Sequence, residues 1–302
     1  MKKHVALILM VALVAGWSNT VWAQAVQLCD QPSLAQATSP PALSSPLVPG
    51  ASALKLAYHA VFPGGSLNCF MDRIHSTPQA LQEGDGQVPG QTSSFTPGTQ
   101  GKVLHLTTPD AIPLIPGDPD ANTQTSSVGL FSTGLNFGPG TFFSTRATFV
   151  RPNGPFGGKS WAVTLNARTG DKNDLGTEKR LNMTLRFRSG VATLNAFENG
   201  QLLKSTPVPA PVYNSIVSSS QPFTLELIVS RITGKGAAIL TTAGASPLPL
   251  QFGLSSFRST SGPVISAVGP ALANCCAAGK SASVELTDFQ ILAHPSTLPP
   301  HS

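Results

Sequence analysis

The chain has 302 residues with 19 Lys+Arg against 14 Asp+Glu, a formal charge of +5 at neutral pH. Charged residues make up 11% of it, against roughly 25% in an average globular domain, and so mild a positive excess argues against a nucleic acid partner. The 28 Gly and 27 Pro suit many turns and long loops better than helices.

At the N-terminus, Lys2 and Lys3 precede an apolar run from Val5 to Val14, and Val21-Trp22-Ala23 offers a signal peptidase site. Residues 1–23 are therefore expected to be a cleaved export signal, and the mature protein to be soluble, in a periplasm or outside the cell. Loss of Lys2 and Lys3 takes Lys+Arg from 19 to 17 and the formal charge from +5 to +3. No later segment approaches the roughly 20 apolar residues of a transmembrane helix. Leu28 before Cys29 is bulky where a lipoprotein processing site wants a small residue.

The four cysteines, Cys29, Cys69, Cys275 and Cys276, form an even set in an exported chain and predict two disulfides. Three connectivities are open, of which the vicinal Cys275–Cys276 bond strains the backbone most. The favoured pattern ties the N-terminal segment to Cys275 and Cys276, closing loops that contribute about 4–5 kcal/mol in the entropy model. The cysteines and histidines lack zinc-ligand spacing.

Residues 24–50 are rich in Pro, Ser and Ala without a period and are expected to be an extended arm. A β-sandwich domain is expected over residues 51–293 and a disordered tail over 294–302. Its first strand is ALKLAYHAVF, where Leu54, Leu56, Tyr58, Ala60 and Phe62 alternate with Lys55, Ala57, His59 and Val61. A short strand is expected over 69–74 and another at KVLHLT. Residues 76–101 and the stretch from Asp110 to the strand SVGLFST are expected to be loops.

The most regular pattern lies between Thr141 and Gly200, where apolar and polar residues alternate with the period of strands buried on one face. Phe143, Ala147, Phe149, Trp161, Val163, Leu165, Ala167, Leu181, Met183, Leu185, Phe187, Ala192, Leu194 and Ala196 form one expected core face. Ser144, Arg146, Thr148, Thr164, Asn166, Arg168, Asn182, Thr184, Arg186, Arg188, Thr193 and Asn195 form a hydrated opposite face. Ser189-Gly190 and Asn199-Gly200 read as hairpin turns. STPVPAPVYN is expected to be a Pro-rich connection. PFTLELIVSR follows with Phe223, Leu225, Leu227 and Val229 inward and Glu226 outward. Gly234-Lys235-Gly236 turns the chain into AAILTT, and PLPLQF and PVISAVG are weaker strands. SVELTDFQIL shifts phase near Asp288, as a β-bulge would produce.

Paired alternating strands, the LNAFENGQLL hairpin, the FTLELIVS strand and the terminal VELTDFQIL together resemble the concanavalin A-like lectin/glucanase superfamily, laminin-G-like domains included. The resemblance covers about residues 126–293. It implies an all-β, two-sheet antiparallel jelly-roll sandwich that binds or cleaves glycans on a concave sheet, often with calcium nearby.

The residues themselves favour binding over catalysis. A glycoside hydrolase needs two carboxylates facing one bond, and the E-x-D-x-x-E strand common to hydrolytic relatives is absent. Glu83/Asp85 and Asp118/Asp120 fall in expected loops, and Glu226 is alone on its strand. Nucleophile chemistry lacks a G-x-S-x-G turn and histidine spacing. Asp118, Asp120 and Asn122 have the spacing that opens a calcium loop, but the later Gly and Glu are missing, so no cofactor is assigned.

The expected ligand surface is the polar face of one sheet, with Arg146, Asn166, Arg168, Asn182, Arg186, Arg188, Asn195 and Glu226 as glycan-binding residues. Amides would meet sugar hydroxyls, and arginines would engage uronate or sulfate groups. Trp161 falls on the core face, leaving Phe142 and Phe197 as stacking platforms. The expected function is an exported, lectin-like protein that binds a glycan or cell-surface polysaccharide. A polysaccharide hydrolase or lyase is one alternative and a non-catalytic envelope or adhesion protein is another.

Overall fold

The computed structural model describes residues 47–48, 55–60, 81–83, 92–98, 101–107, 126–129, 142–154, 160–169, 179–218, 221–258, 265–275 and 282–293. The export signal, the calcium candidates Asp118, Asp120 and Asn122, the expected 69–74 strand, the tail and Cys29, Cys69 and Cys276 lie outside them. Cys275 ends a strand, in register with Ser160.

Fifteen strands and one helix are described. In chain order they are β1 (Lys55–Ala60), β2 (Leu81–Glu83), β3 (Thr92–Gly98), β4 (Gly101–Thr107), β5 (Ser126–Gly129), β6 (Phe142–Asn153), β7 (Ser160–Thr169), β8 (Lys179–Arg188), β9 (Val191–Glu198) and β10 (Gln201–Pro207). Helix α1 (Ala210–Ser218), β11 (Phe223–Ser230), β12 (Lys235–Thr242), β13 (Leu248–Gly253), β14 (Ile265–Cys275) and β15 (Ser283–Ala293) follow. An eight-stranded sheet has the order β13-β12-β11-β6-β15-β4-β3, with β1 also paired to β15. A seven-stranded sheet has the order β10-β9-β8-β7-β14-β5-β2. The chain crosses between the layers after β1, β2, β4, β5, β6, β10, β13 and β14, and the runs β7 to β10 and β11 to β13 are consecutive hairpins within one sheet. This is the two-sheet antiparallel jelly-roll sandwich expected from the sequence.

The predicted core positions are buried without exception. The fourteen residues from Phe143 to Ala196 named above lie in one core cluster with Phe223, Leu225, Leu227 and Val229. They come from both sheets, however. Phe143, Ala147 and Phe149 on β6 belong to the eight-stranded sheet and pack against residues of β7, β8 and β9. A single alternating face in the sequence is thus two inner faces in space. Trp161 stacks on Phe187 with ring centroids 4.2 Å apart, and a Cβ built on Gly154 would lie 2.4 Å from the Trp161 ring.

Both hairpin dipeptides adopt positive φ, Ser189 at 51° with Gly190 at 78° and Asn199 at 50° with Gly200 at 80°, the backbone of a type I′ turn. The register of β15 against β6 shifts between Leu286 and Asp288, where the sequence changes phase. Two expectations fail. β2 and β3 interrupt the expected 76–101 loop. The Pro-rich connection contains α1, because Pro211 occupies the first turn, where a missing N–H costs no helical bond. Val212 and Ile216 of α1 join the core. Among the described residues no helix is long and apolar enough to cross a membrane.

Candidate functional site

The eight predicted ligand residues divide between the sheets. Arg146 on β6 and Glu226 on β11 are register partners in the eight-stranded sheet. Asn166, Arg168, Asn182, Arg186, Arg188 and Asn195 belong to β7, β8 and β9 of the other sheet. Alternation fixes which side of its own sheet a residue takes but not which sheet it joins, so the expected single surface is two surfaces on opposite sides of the sandwich.

Arg146 and Glu226 also fail the expectation of hydration. They are 8% and 7% exposed, their charged groups meet at 3.0 Å, and Ser144 Oγ donates to Glu226 Oε1 at 2.8 Å. A buried guanidinium and carboxylate need each other to offset desolvation, and this pair is matched within the chain. Around it the outer face is apolar. Phe142, Ile228, Ala237, Ile239 and Leu292 cluster beneath Val48, which is fully buried. Gln251 Nε2 donates to Leu47 O at 2.9 Å and fixes that segment. Phe142 is therefore covered, and its role as a stacking platform is excluded.

On the seven-stranded sheet the outer face changes character across its width. Every residue of β7 is buried, Arg168 at 3% exposure and Asn166 at 4% among them. A central strand is shielded by its neighbours, and Arg186 shows how: from β8 it reaches over β7 and donates from Nη2 to Ser160 Oγ at 3.2 Å. Asn195 is buried as well. Its Nδ2 donates to Thr193 Oγ1 at 3.1 Å and its Oδ1 accepts from Ser205 Oγ at 2.6 Å, so it ties β9 to β10.

The accessible part is the margin formed by β8, β9 and β10. Arg180, Arg186 and Arg188 are exposed, and Asn182 and Thr184 are half-buried. All five take the outward phase of β8, whose alternate residues Leu181, Met183, Leu185 and Phe187 enter the core. Register places Phe197 between Asn182 and Leu202. Phe197 is half-buried and lies outside the core cluster, and Leu202 is 56% exposed. The face thus carries one aromatic ring bordered by an amide, two threonines and arginines. Arg180 shares the outward phase but was absent from the predicted set; the alternation of β8, followed back beyond Leu181, was the signal for it.

Glu198 carries the one carboxylate on β7 to β10, and it points the other way. In register with core-facing Leu181, it accepts from Ser255 N–H at 3.0 Å, from Ser255 Oγ at 2.5 Å and from Phe257 N–H. Asn199 Nδ2 donates to Ser256 Oγ at 2.6 Å, and Lys179 Nζ to Ser256 O at 3.0 Å. Buried Arg231 donates from Nε to Phe257 O at 3.0 Å, and burial lowers its pKa from the ordinary value. These groups close the end of the sandwich beside the β9–β10 turn and hold the arginine-bearing margin in place. Among the described residues no cluster of His, Cys, Asp or Glu could hold a metal ion.

No protein-family model and no curated protein matches the chain. Solved structures do. A lectin from Bauhinia forficata in complex with GalNAc shares 12% identity over 71% of this chain and 98% of its own, with a TM-score of 0.43. Lectin II from Ulex europaeus shares 11% identity over 71% and 98%, with a TM-score of 0.43. An alginate lyase from Aplysia kurodai shares 12% identity over 67% and 87%, with a TM-score of 0.42.

Proposed function

We propose that this is an exported glycan-binding protein that takes its ligand on the β8–β9–β10 margin of the seven-stranded sheet. The observation that carries this reading is Phe197, a half-buried ring on an otherwise polar face, in register with Asn182 and, two residues along β8 on either side of it, with Arg180 and Thr184 as diagonal neighbours. A sugar ring presents one apolar face and a rim of hydroxyls. The phenyl ring takes the face by stacking, and the amide, hydroxyl and guanidinium groups take the rim. The Asn195–Thr193 and Asn195–Ser205 hydrogen bonds stiffen the strands beneath, so little ordering is left for binding to supply. Residues 1–23 serve as the export signal in this reading, and no cofactor takes part.

The test is an immobilised glycan array probed with the mature protein and with Phe197→Ala. Retention of one glycan class by the mature protein, reduced at least about tenfold in the variant at unchanged thermal midpoint, supports the reading. No retained glycan, or equal retention by both proteins, overturns it. Reducing ends or unsaturated uronates released from the bound polysaccharide would overturn the non-catalytic part and favour a hydrolase or lyase.

A further inference from the structure

Resting on that glycan-binding reading, we infer that the ligand is a chain of several sugar units rather than a single sugar, held at a second subsite in the cleft between β10 and β13. These are end strands of the two sheets, so the sandwich opens along them. Between them lies a cleft of about 280 Å³, with room for one sugar unit.

The edge position explains the chemistry of this cleft. Lys204 and Thr206 are in register with Ala196 and Leu194 of β9, both of which enter the core. On a central strand that phase would bury them. At the end of the sheet it turns them into the cleft instead, where Lys204 stays exposed and Thr206 half-buried. The register shift between Leu202 and Lys204 is a bulge, a device that re-aims side chains at a sheet edge, and its extra residue Leu203 packs on the core. From the other sheet, β13 supplies Pro249, Leu250 and Gln251. Gln251 Nε2 donates to the Leu47 carbonyl at 2.9 Å, which fixes the remaining wall before a ligand arrives. One side is therefore largely apolar, the other carries an ammonium and two hydroxyls, and none of the lining residues is acidic. Small-ligand clefts combine apolar surface with a few placed polar groups, and a sugar unit presents the same mixture.

Ser205 makes the cleft continuous with the Phe197 platform. It lines the cleft and donates to Asn195 Oδ1 on the outer face. Asn195 is level with Ser205 and two residues from Phe197 along β9, which puts Ser205 and Phe197 roughly 8 Å apart at strand dimensions. Leu202, exposed and level with Phe197, extends the apolar platform onto β10. A sugar stacked on Phe197 does not also fill the cleft, whereas a short chain occupies both.

The experiment measures affinity by calorimetry for size ladders of one to eight units: cello-, malto- and galacturonate oligosaccharides, and a ladder cut from each polysaccharide that the array retains. Affinity rising at least about tenfold from one unit to four, then levelling off, is the expected result. Lys204→Ala, at unchanged thermal midpoint, is expected to weaken the four-unit ligand about five- to tenfold and the single sugar less than about twofold. Phe197→Ala weakens both. Lys235→Ala, an equal charge loss away from the cleft, moves neither. Equal affinity for one and four units, no loss in Lys204→Ala, or a Lys204→Ala loss of the same size at every length overturns the second subsite while leaving glycan binding on Phe197 intact. A loss as large in Lys235→Ala overturns it in favour of general charge attraction. If no ladder binds and the array retains nothing, the glycan reading itself fails.

Discussion

On the outer face of the eight-stranded sheet, Glu226 holds Arg146 and Glu285 holds Arg151, and an apolar patch is closed by Val48. On the outer face of the seven-stranded sheet, three arginines of β8 are exposed, one of them bonded to Ser160 of β7, and the ring of Phe197 is half-buried. Both faces grow from the same alternation of apolar and polar residues. One has consumed its polar groups in internal pairs and covers its apolar ones with the chain's own arm. The other keeps its polar groups on a stiff platform. A polar strand face is therefore a poor guide to a binding surface until the partners of its charges are known.

Five variants break or sharpen this contrast. Glu226→Leu strands the Arg146 guanidinium in a buried setting and is expected to cost about 3–5 kcal/mol in urea unfolding. Adding Arg146→Met should restore most of that loss, because an apolar pair needs no charge compensation. Val48→Asp ejects the arm segment from its seat and is expected to cost about 1.5–3 kcal/mol. The same variant should raise fluorescence of a dye that binds apolar surface, since Phe142, Ile228 and Ile239 are uncovered.

On the other sheet the effects on stability shrink. Ser205→Ala removes one hydrogen bond from Asn195 and is expected to cost about 1 kcal/mol in the same unfolding experiment. The double variant Arg186→Ala, Arg188→Ala is expected to cost about 1 kcal/mol or less, the share of the Arg186 bond to Ser160 Oγ. A large loss of stability in that variant would mean that these arginines, like Arg146, are structural.

The sequence makes the parity of each strand legible, and hence the core: Trp161, Leu165, Met183, Leu185 and Phe187 look inward as their alternation requires. It also marks the turns at Ser189-Gly190 and Asn199-Gly200 and the bulge near Asp288. The partition of strands between layers is not legible in parity. Arg146 and Arg186 have the same phase in the same stretch of sequence, and a crossover between β6 and β7 sends them to opposite sides of the sandwich. Depth is hidden for the same reason: Arg168 resembles Arg188 in pattern, but β7 is the middle strand of its sheet, with Arg186 of β8 reaching over it. Helix α1 was concealed by Pro207, Pro209 and Pro211, which read as extended chain although a first helical turn tolerates proline.

The seat of Val48 carries a consequence for how the molecule is assembled during synthesis. One wall of that seat is Leu292, and β1 finds its hydrogen-bonding partner in β15, so the earliest described segments dock against the last described strand. Until β15 is released from the ribosome, the beginning of the chain has nowhere to settle and Phe142, Ile228 and Ile239 lack their cover. Contacts so distant along the chain are slow to form. A chain cut short before β15 would therefore lose its beginning as well as its end, leaving a sticky, incomplete layer.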